Sequence, residues 1–253
     1  MNYNWNWGVF LEKTPDGGLS YFAAMSFGAA WTLAVAAGAL IIALIAGSVI
    51  GVMRTLPSST ARAFATAYVE LFRNIPLLVQ MFVWYFVLPE IVPTSLGIAM
   101  KQASNASFYT AVVCLGLYTS PRIAEQLKAG ILSLRAGQRM AALAMGFTLP
   151  QTYRFVLLPM AYRIILPPLT SEVLGIVKNS AVALTIGLVE LTASARSMQE
   201  FTFQIFEAFA GATLVYMLIN IVIVSLMRAL ERRAAVPGFS MRAGSKPSTG
   251  VRR

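Results

Sequence analysis

The chain has 253 residues, of which 57% are hydrophobic and only 12% charged. A soluble domain carries about 25% charged residues, so these side chains cannot coat a water-facing surface, and so apolar a composition excludes a disordered chain. The absence of histidine and the single cysteine, Cys114, exclude histidine-based catalysis, histidine or cysteine metal sites and an internal disulfide, while the net charge of +10 leaves a nucleic-acid or a membrane partner to be decided by its distribution.

Residues 1–21 lack a basic leader and do not read as a cleavable signal peptide; Trp5 and Trp7 read as anchors at a membrane–water interface. No charge then occurs over the 37 residues 17–53. A bilayer core takes about 20 apolar residues in a helix, so residues 22–52 predict a first span. Gly47-Ser-Val-Ile-Gly51, with Ala43 one turn earlier, sets small residues four apart on that span. Packing within one subunit is the expected use, a dimer contact the alternative. Residues 74–89 and 102–121 predict the second and third spans, bounded by Arg73, Glu90, Lys101 and Arg122.

The segment 122–163 reads as a structured loop. Ala124, Leu127, Ile131 and Leu134 recur at helical spacing, which predicts an amphipathic helix ended by Gly137. A second short helix follows through Ala141, Ala142 and Ala144 to Met145. Gly146 ends it, and Thr148-Leu-Pro150 starts the next, since proline is tolerated in a first helical turn. A fourth span covers about 164–189 but contains Glu172 and Lys178; a fifth covers 208–227. Trp84 reads as a further interfacial anchor.

These spans describe an all-α integral membrane protein of about five transmembrane helices. With the C-terminus in the cytoplasm, the segments 54–73, 122–163 and 228–253 lie inside and hold 16 of the 20 basic residues. That is a positive-inside pattern, so the +10 reads as a topology signal rather than as affinity for nucleic acid. The N-terminus is then periplasmic. Three regions result: a periplasmic segment 1–21, a transmembrane domain 22–230, and a basic cytoplasmic tail 231–253 able to meet anionic lipid.

A membrane protein that pumps a solute uphill needs coupled free energy, but this chain has no two glycines five positions apart as a P-loop requires, nor two apart as in a dinucleotide fingerprint. Any ATP must be bound by another polypeptide; no metal or other cofactor is expected. The chemistry left to this chain is recognition. An ionisable side chain inside a span costs about 2.5–3.5 kcal/mol on insertion scales and normally faces a cavity or a partner. Lys178, followed by Asn179 and Ser180, is the main candidate, in a cluster able to loosen a helix turn. Glu172 is six residues away, about 240° around a helix, and is a poor partner for it. Arg73, Asn74 and Gln80 form a second cluster, in which Arg73 and Gln80 share a face if the helix survives Pro76. A guanidinium grips carboxylates through paired hydrogen bonds. Arg73 and Lys178 are therefore expected to meet carboxylates of a solute, with Asn74, Gln80 and Asn179 orienting it. The bland alternatives are a pairing of Arg73 with Glu70 and an ion pair of Lys178 with another helix.

Gly137-Gln-Arg-Met-Ala-Ala-Leu-Ala-Met-Gly146, followed by Val156-Leu-Leu-Pro159, resembles the EAA loop of ABC-transporter permeases. Glu70-Leu-Phe-Arg-Asn-Ile-Pro-Leu-Leu-Val-Gln80 and Val177-Lys-Asn-Ser-Ala181 resemble its polar amino acid uptake branch. Asn4-Trp-Asn-Trp-Gly8, Trp84-Tyr85 and Pro89-Glu90 are similar to that branch's glutamate/aspartate members. The resemblance covers about residues 20–230. It implies a type I importer permease fold in a bacterial inner membrane and alternating access driven by two copies of a separate ATP-binding subunit. It also implies a second homologous permease subunit, a periplasmic solute-binding protein and an amino acid substrate. The loop would dock on the ATPase through Ala141, Ala142, Gly146 and Leu149. Met140 stands where the motif usually has glutamate, so docking would rest on apolar contacts rather than an ion pair. The competing readings are an ion- or proton-coupled secondary transporter, with Lys178, Glu172 and Glu190 as a relay, and a structural membrane scaffold.

Overall fold

A computed structural model describes residues 3–15, 17–134 and 136–234. Among these residues the chain is helical apart from turns and one isolated bridge between Lys13 and Ser20. The expected basic tail falls, beyond Ala234, outside the described residues.

The first span is α1 (Tyr21–Met53), capped by the Ser20 hydroxyl, which accepts from the Ala23 N–H at 3.3 Å. Its buried face runs through Ala36, Ala39, Ala43, Gly47 and Gly51. These small residues let it press against α6 (Ala106–Ser133). A Cβ on Gly47 would stand 2.8 Å from the Ser120 carbonyl, and one on Gly51 2.9 Å from that of Ala124. The Gly47–Gly51 pair is thus spent on packing within the chain.

The second span is broken. α2 (Ser59–Asn74) and the following helical stretch Leu77–Ile91 meet at 101°. The cause is Pro76: it has no N–H to continue the ladder and pushes Ile75 into extended backbone (φ −99°, ψ 126°). The expected sharing of one face by Arg73 and Gln80 is therefore corrected. Beyond the bend come α3 (Leu77–Phe82), a π turn (Val83–Val87) and α4 (Leu88–Ile91). A second π turn, Tyr153–Leu157, lies between α8 (Leu149–Thr152) and α9 (Leu158–Asn179). Each π turn precedes a proline, Pro89 or Pro159, whose missing N–H and ring bulk disfavour the ordinary ladder. α5 (Thr94–Gln102) leads back to α6, with Lys101 paired to Glu90.

The third span runs further than expected. α6 passes through Pro121 and Arg122 without ending, so Ala124, Leu127 and Ile131 are its far end, not a separate helix. Pro121 cannot donate to the Leu117 carbonyl; the Ser120 hydroxyl does so instead, at 2.9 Å. The break expected at Gly137 lies earlier, at Leu134, whose backbone is extended. α7 (Ala136–Ala144) follows and ends at Gly146, where φ is +87°. Phe147 N–H donates to the Ala142 carbonyl at 3.1 Å and Gly146 N–H to that of Leu143 at 3.0 Å, a pairing that satisfies the helix end and needs a left-handed residue. Thr148 then opens α8, its N–H donating to the Gln151 side chain at 2.8 Å.

α9 tightens into a 3₁₀ turn (Ser180–Ile186) that ends on left-handed Gly187 (φ +83°). α10 (Leu191–Thr202) and α11 (Ile205–Ala234) complete the chain. Tyr21–Met53, Leu149–Ile186 and Ile205–Ala234 are long and apolar enough to cross a membrane, and the bent pair makes a fourth crossing if counted as one. α6, with Arg122, Glu125 and Lys128 in its second half, is too polar to qualify by composition, yet at 28 residues it is about 42 Å long and packs at the centre of the bundle. The main core joins Ala39 of α1, Met81 of α3, Cys114 and Leu115 of α6, and Ile176 and Val177 of α9.

At the other end of α11 the N-terminal segment is fastened down. The buried carboxylate of Glu207 accepts from Tyr3 and, at 2.8 Å, from the Asn6 N–H. Desolvation first, and then this hydrogen bond, hold the Tyr3 phenol above its ordinary pKa.

Candidate functional site

The bend at Pro76 leaves carbonyls of α2 without helical donors. Gln80, 4% exposed, supplies them: its Nε2 donates to Phe72 O and to Ile75 O, each at 2.9 Å. Its amide group is thus engaged by the elbow, and its buried Oε1 has no partner. Asn74 closes the end of α2, donating to the Glu70 carbonyl at 2.8 Å and its carboxylate at 3.3 Å. Arg73 does not pair with Glu70. It is half-exposed and stands 3.9 Å from Glu125, whose close partner is Arg54. Lys128 reaches the same carboxylate at 4.0 Å.

Lys178 is exposed in the last turn of α9, with no ion pair or hydrogen bond among the described residues. The backbone tightens, rather than loosens, directly after Asn179, and Ser180 donates to the Val177 carbonyl at 2.8 Å. No hydrogen bond joins any two of Arg73, Asn74, Gln80, Lys178 and Asn179 among the described residues. Their neighbours share a core: Leu77 and Met81 of α3 belong to the same buried apolar cluster as Ile176 and Val177 of α9. Lys178 also continues a stripe. Arg163, Pro167, Ser171 and Lys178 are exposed at helical spacing, and at half-exposed Gly175 a Cβ would meet nothing within 4 Å.

Reading the sequence alone missed the polar wall facing this stripe on α6. Gln126 donates to Glu172 at 2.9 Å, and Arg122 stands 3.9 Å from the other Glu172 oxygen. Arg122 is also held by Tyr118, donating to its hydroxyl at 3.0 Å and lying 4.8 Å from its ring centre. The signal was there in Tyr118 and Arg122, one helical turn apart, but it is visible only if the span is taken past Pro121. Glu190 is remote from these contacts in its bonding. Fully buried, it caps α10 at Ala193 N–H (2.8 Å) and accepts from Tyr216 (2.9 Å) and Thr32 (3.4 Å). Among the described residues no hydrogen bond or ion pair connects Lys178, Glu172 and Glu190 as a relay.

On α7, Ala141 and Gly146 are exposed and Leu149 beyond it is half-buried, whereas Ala142 is 1% exposed and packs against its own chain. The exposed apolar surface of this element is made by Ala141, Met140, Leu143 and Met145. Grooves of about 510 and 460 Å³ flank it, one lined by Ala141, Phe155 and Met160, the other by Met140, Leu143 and Tyr153. No acidic residue occurs between Ala136 and Arg163.

Known proteins share this plan. The family described as the binding-protein-dependent transport system inner membrane component matches residues 39–236. The glutamate/aspartate import permease protein GltJ of Escherichia coli (strain K12) is 46% identical over 241 residues, 94% of this chain and 98% of the relative. The glutamine transport system permease protein GlnP of the same strain is 31% identical, over 79% of this chain and 86% of that one. Among solved structures, an amino acid ABC transporter crystallised with histidines superposes with a TM-score of 0.71 at 29% identity, covering 84% of this chain and 95% of that one. An inward-facing MetNI methionine ABC transporter gives 0.65 at 20% identity, over 82% and 92%, and shares the fold.

Proposed function

We propose, for a chain that belongs to the binding-protein-dependent transport system inner membrane components, that it lines the passage by which an importer carries glutamate and aspartate into the cell. Membership makes the chain a multi-pass inner-membrane transport subunit. The choice of acidic amino acids draws on the likeness to the glutamate/aspartate permease and on the basic character of the open side of α9 and α6.

The observation that carries the reading is Lys178: an unpaired cation on an exposed polar stripe of a span. A charge there is stable only against water or an anion. Lys178 would receive a carboxylate and Arg73 would add to the positive charge of the passage, with Asn74 and Asn179 orienting the solute; Gln80 would act through the elbow it holds. The N-terminus would be periplasmic and the C-terminus cytoplasmic, dividing the chain into an outer segment 1–21, the domain 22–230 and a basic tail 231–253. α7 would then dock, through Ala141, Gly146, Leu149 and its exposed methionines, on one of two ATP-binding subunits. A second homologous permease would complete the passage, and a periplasmic solute-binding protein would deliver the substrate. This chain would bind no nucleotide or other cofactor; ATP-driven closure of its partners would shift it between states of different affinity.

The test is uptake in proteoliposomes holding the complete complex, with ATP enclosed. Glutamate and aspartate should accumulate and stimulate ATP hydrolysis. Uptake that persists without ATP but collapses with an uncoupler would overturn the reading.

A further inference from the structure

An acidic amino acid carries two carboxylates; Arg73 and Arg122 each stand 3.9 Å from a glutamate, but Arg122 meets α9, the helix that bears Lys178, whereas Arg73 meets Glu125 of α6. We infer that Arg122 is the specificity-determining residue that receives the second carboxylate, opposite Lys178, with the solute lying over Gly175. The inference rests on the import reading above and names the residue that separates acidic from neutral amino acids.

The geometry is as follows. Around α9, Gly175 lies about 60° from Glu172 on one side and about 60° from Lys178 on the other. Glu172 faces α6, where Gln126 and Arg122 meet it. Arg122 therefore borders the same open side as Lys178, and between them is a position with no side chain and open space above it. Glu172 and Lys178 are six residues apart, about 9 Å of helix rise. Two long cationic side chains on these walls can hold opposite ends of a short dicarboxylate.

Arg122 is also poised rather than consumed. Its guanidinium is 3.9 Å from Glu172, beyond a close ion pair, while the opposite Glu172 oxygen is satisfied by Gln126. Its side chain is 43% exposed. Tyr118 fixes its direction from beneath, by a hydrogen bond and by its ring face. A guanidinium held this way presents a planar fork to a carboxylate with little ordering left to do.

The test is binding of radiolabelled glutamate, and separately of radiolabelled glutamine, to the purified permease–ATPase complex. Arg122→Gln should weaken glutamate binding on the order of 10- to 100-fold and leave glutamine nearly unchanged. Arg122→Lys should retain part of the affinity, and Gly175→Leu should lower it by filling the cleft. Glu172→Gln should leave it near the wild-type value. If Arg122→Gln binds glutamate like wild type, the inference falls while the import reading stands. If Glu172→Gln loses as much as Arg122→Gln, together with thermal stability, Arg122 is a strut between helices and the inference also falls. A wild-type complex that binds no glutamate would overturn both.

Discussion

α9 and α11 are both long, both exposed along one side, and opposite in what they expose. α11 shows Leu214, Met217, Leu218, Ile221 and Val222, an unbroken apolar face. α9 shows Arg163, Ser171 and Lys178, with bare backbone at Gly175. Exposure alone does not separate lipid from a water-filled passage; the chemistry of the exposed atoms does. An apolar face is at rest in hydrocarbon, whereas an unpaired ammonium there costs several kcal/mol. The contrast supports the reading proposed above, in which α11 faces lipid and α9 lines the passage.

The contrast can be broken by exchanging the chemistry. Leu218→Lys on α11 should cost about 3 kcal/mol of insertion free energy, on the order of a hundredfold, read as loss of membrane-integrated protein. Ser171→Lys on α9 should integrate at near wild-type yield; equal losses would erase the distinction. Next in size, Lys178→Met should integrate normally but lower glutamate uptake on the order of 10- to 100-fold. Normal uptake by that variant would remove Lys178 from the site. Gln80→Met leaves the Phe72 and Ile75 carbonyls unpaired and should cost about 1–3 kcal/mol, seen as a lower melting temperature of the purified complex. The mildest change sharpens the picture without disturbing it. A water-soluble maleimide should label Ser171→Cys quickly and Leu218→Cys slowly, against a low background because Cys114 is buried.

What could be read from the residues alone follows the same division. α1 and α11 were legible because nothing interrupts their apolar runs. α6 was cut short because Arg122, Glu125 and Lys128 look like the edge of a membrane. They face other helices instead, with Arg54 and Arg73 beside Glu125 on one flank and Glu172 near Arg122 on the other, which no local pattern reveals. The elbow was hidden for a related reason: Pro76 lies in an apolar run, and only the bend shows why Gln80 is needed inside it. Lys178 stands out in the sequence as the reverse case, a charge within a predicted span, and no described residue forms an ion pair or hydrogen bond with it. Ala142 and Ala141 could not be told apart by spacing, since which of them turns inward depends on how α7 sits on α6 and α8. The left-handed turn at Gly146 and the helix start at Thr148 were legible because local backbone chemistry alone decides them.

The Glu190 carboxylate has a consequence for motion. Its oxygens are held jointly by the α10 backbone, by Thr32 and by Tyr216, with no cation among these partners. Prying any one of the three helices loose would strand a buried carboxyl group without one of its hydrogen bonds. Thr32 of α1, the first turn of α10 and Tyr216 of α11 are therefore tied at one point, like leaves fixed by one rivet. Left-handed Gly187 joins this fastened point to the stretch of chain bearing Lys178.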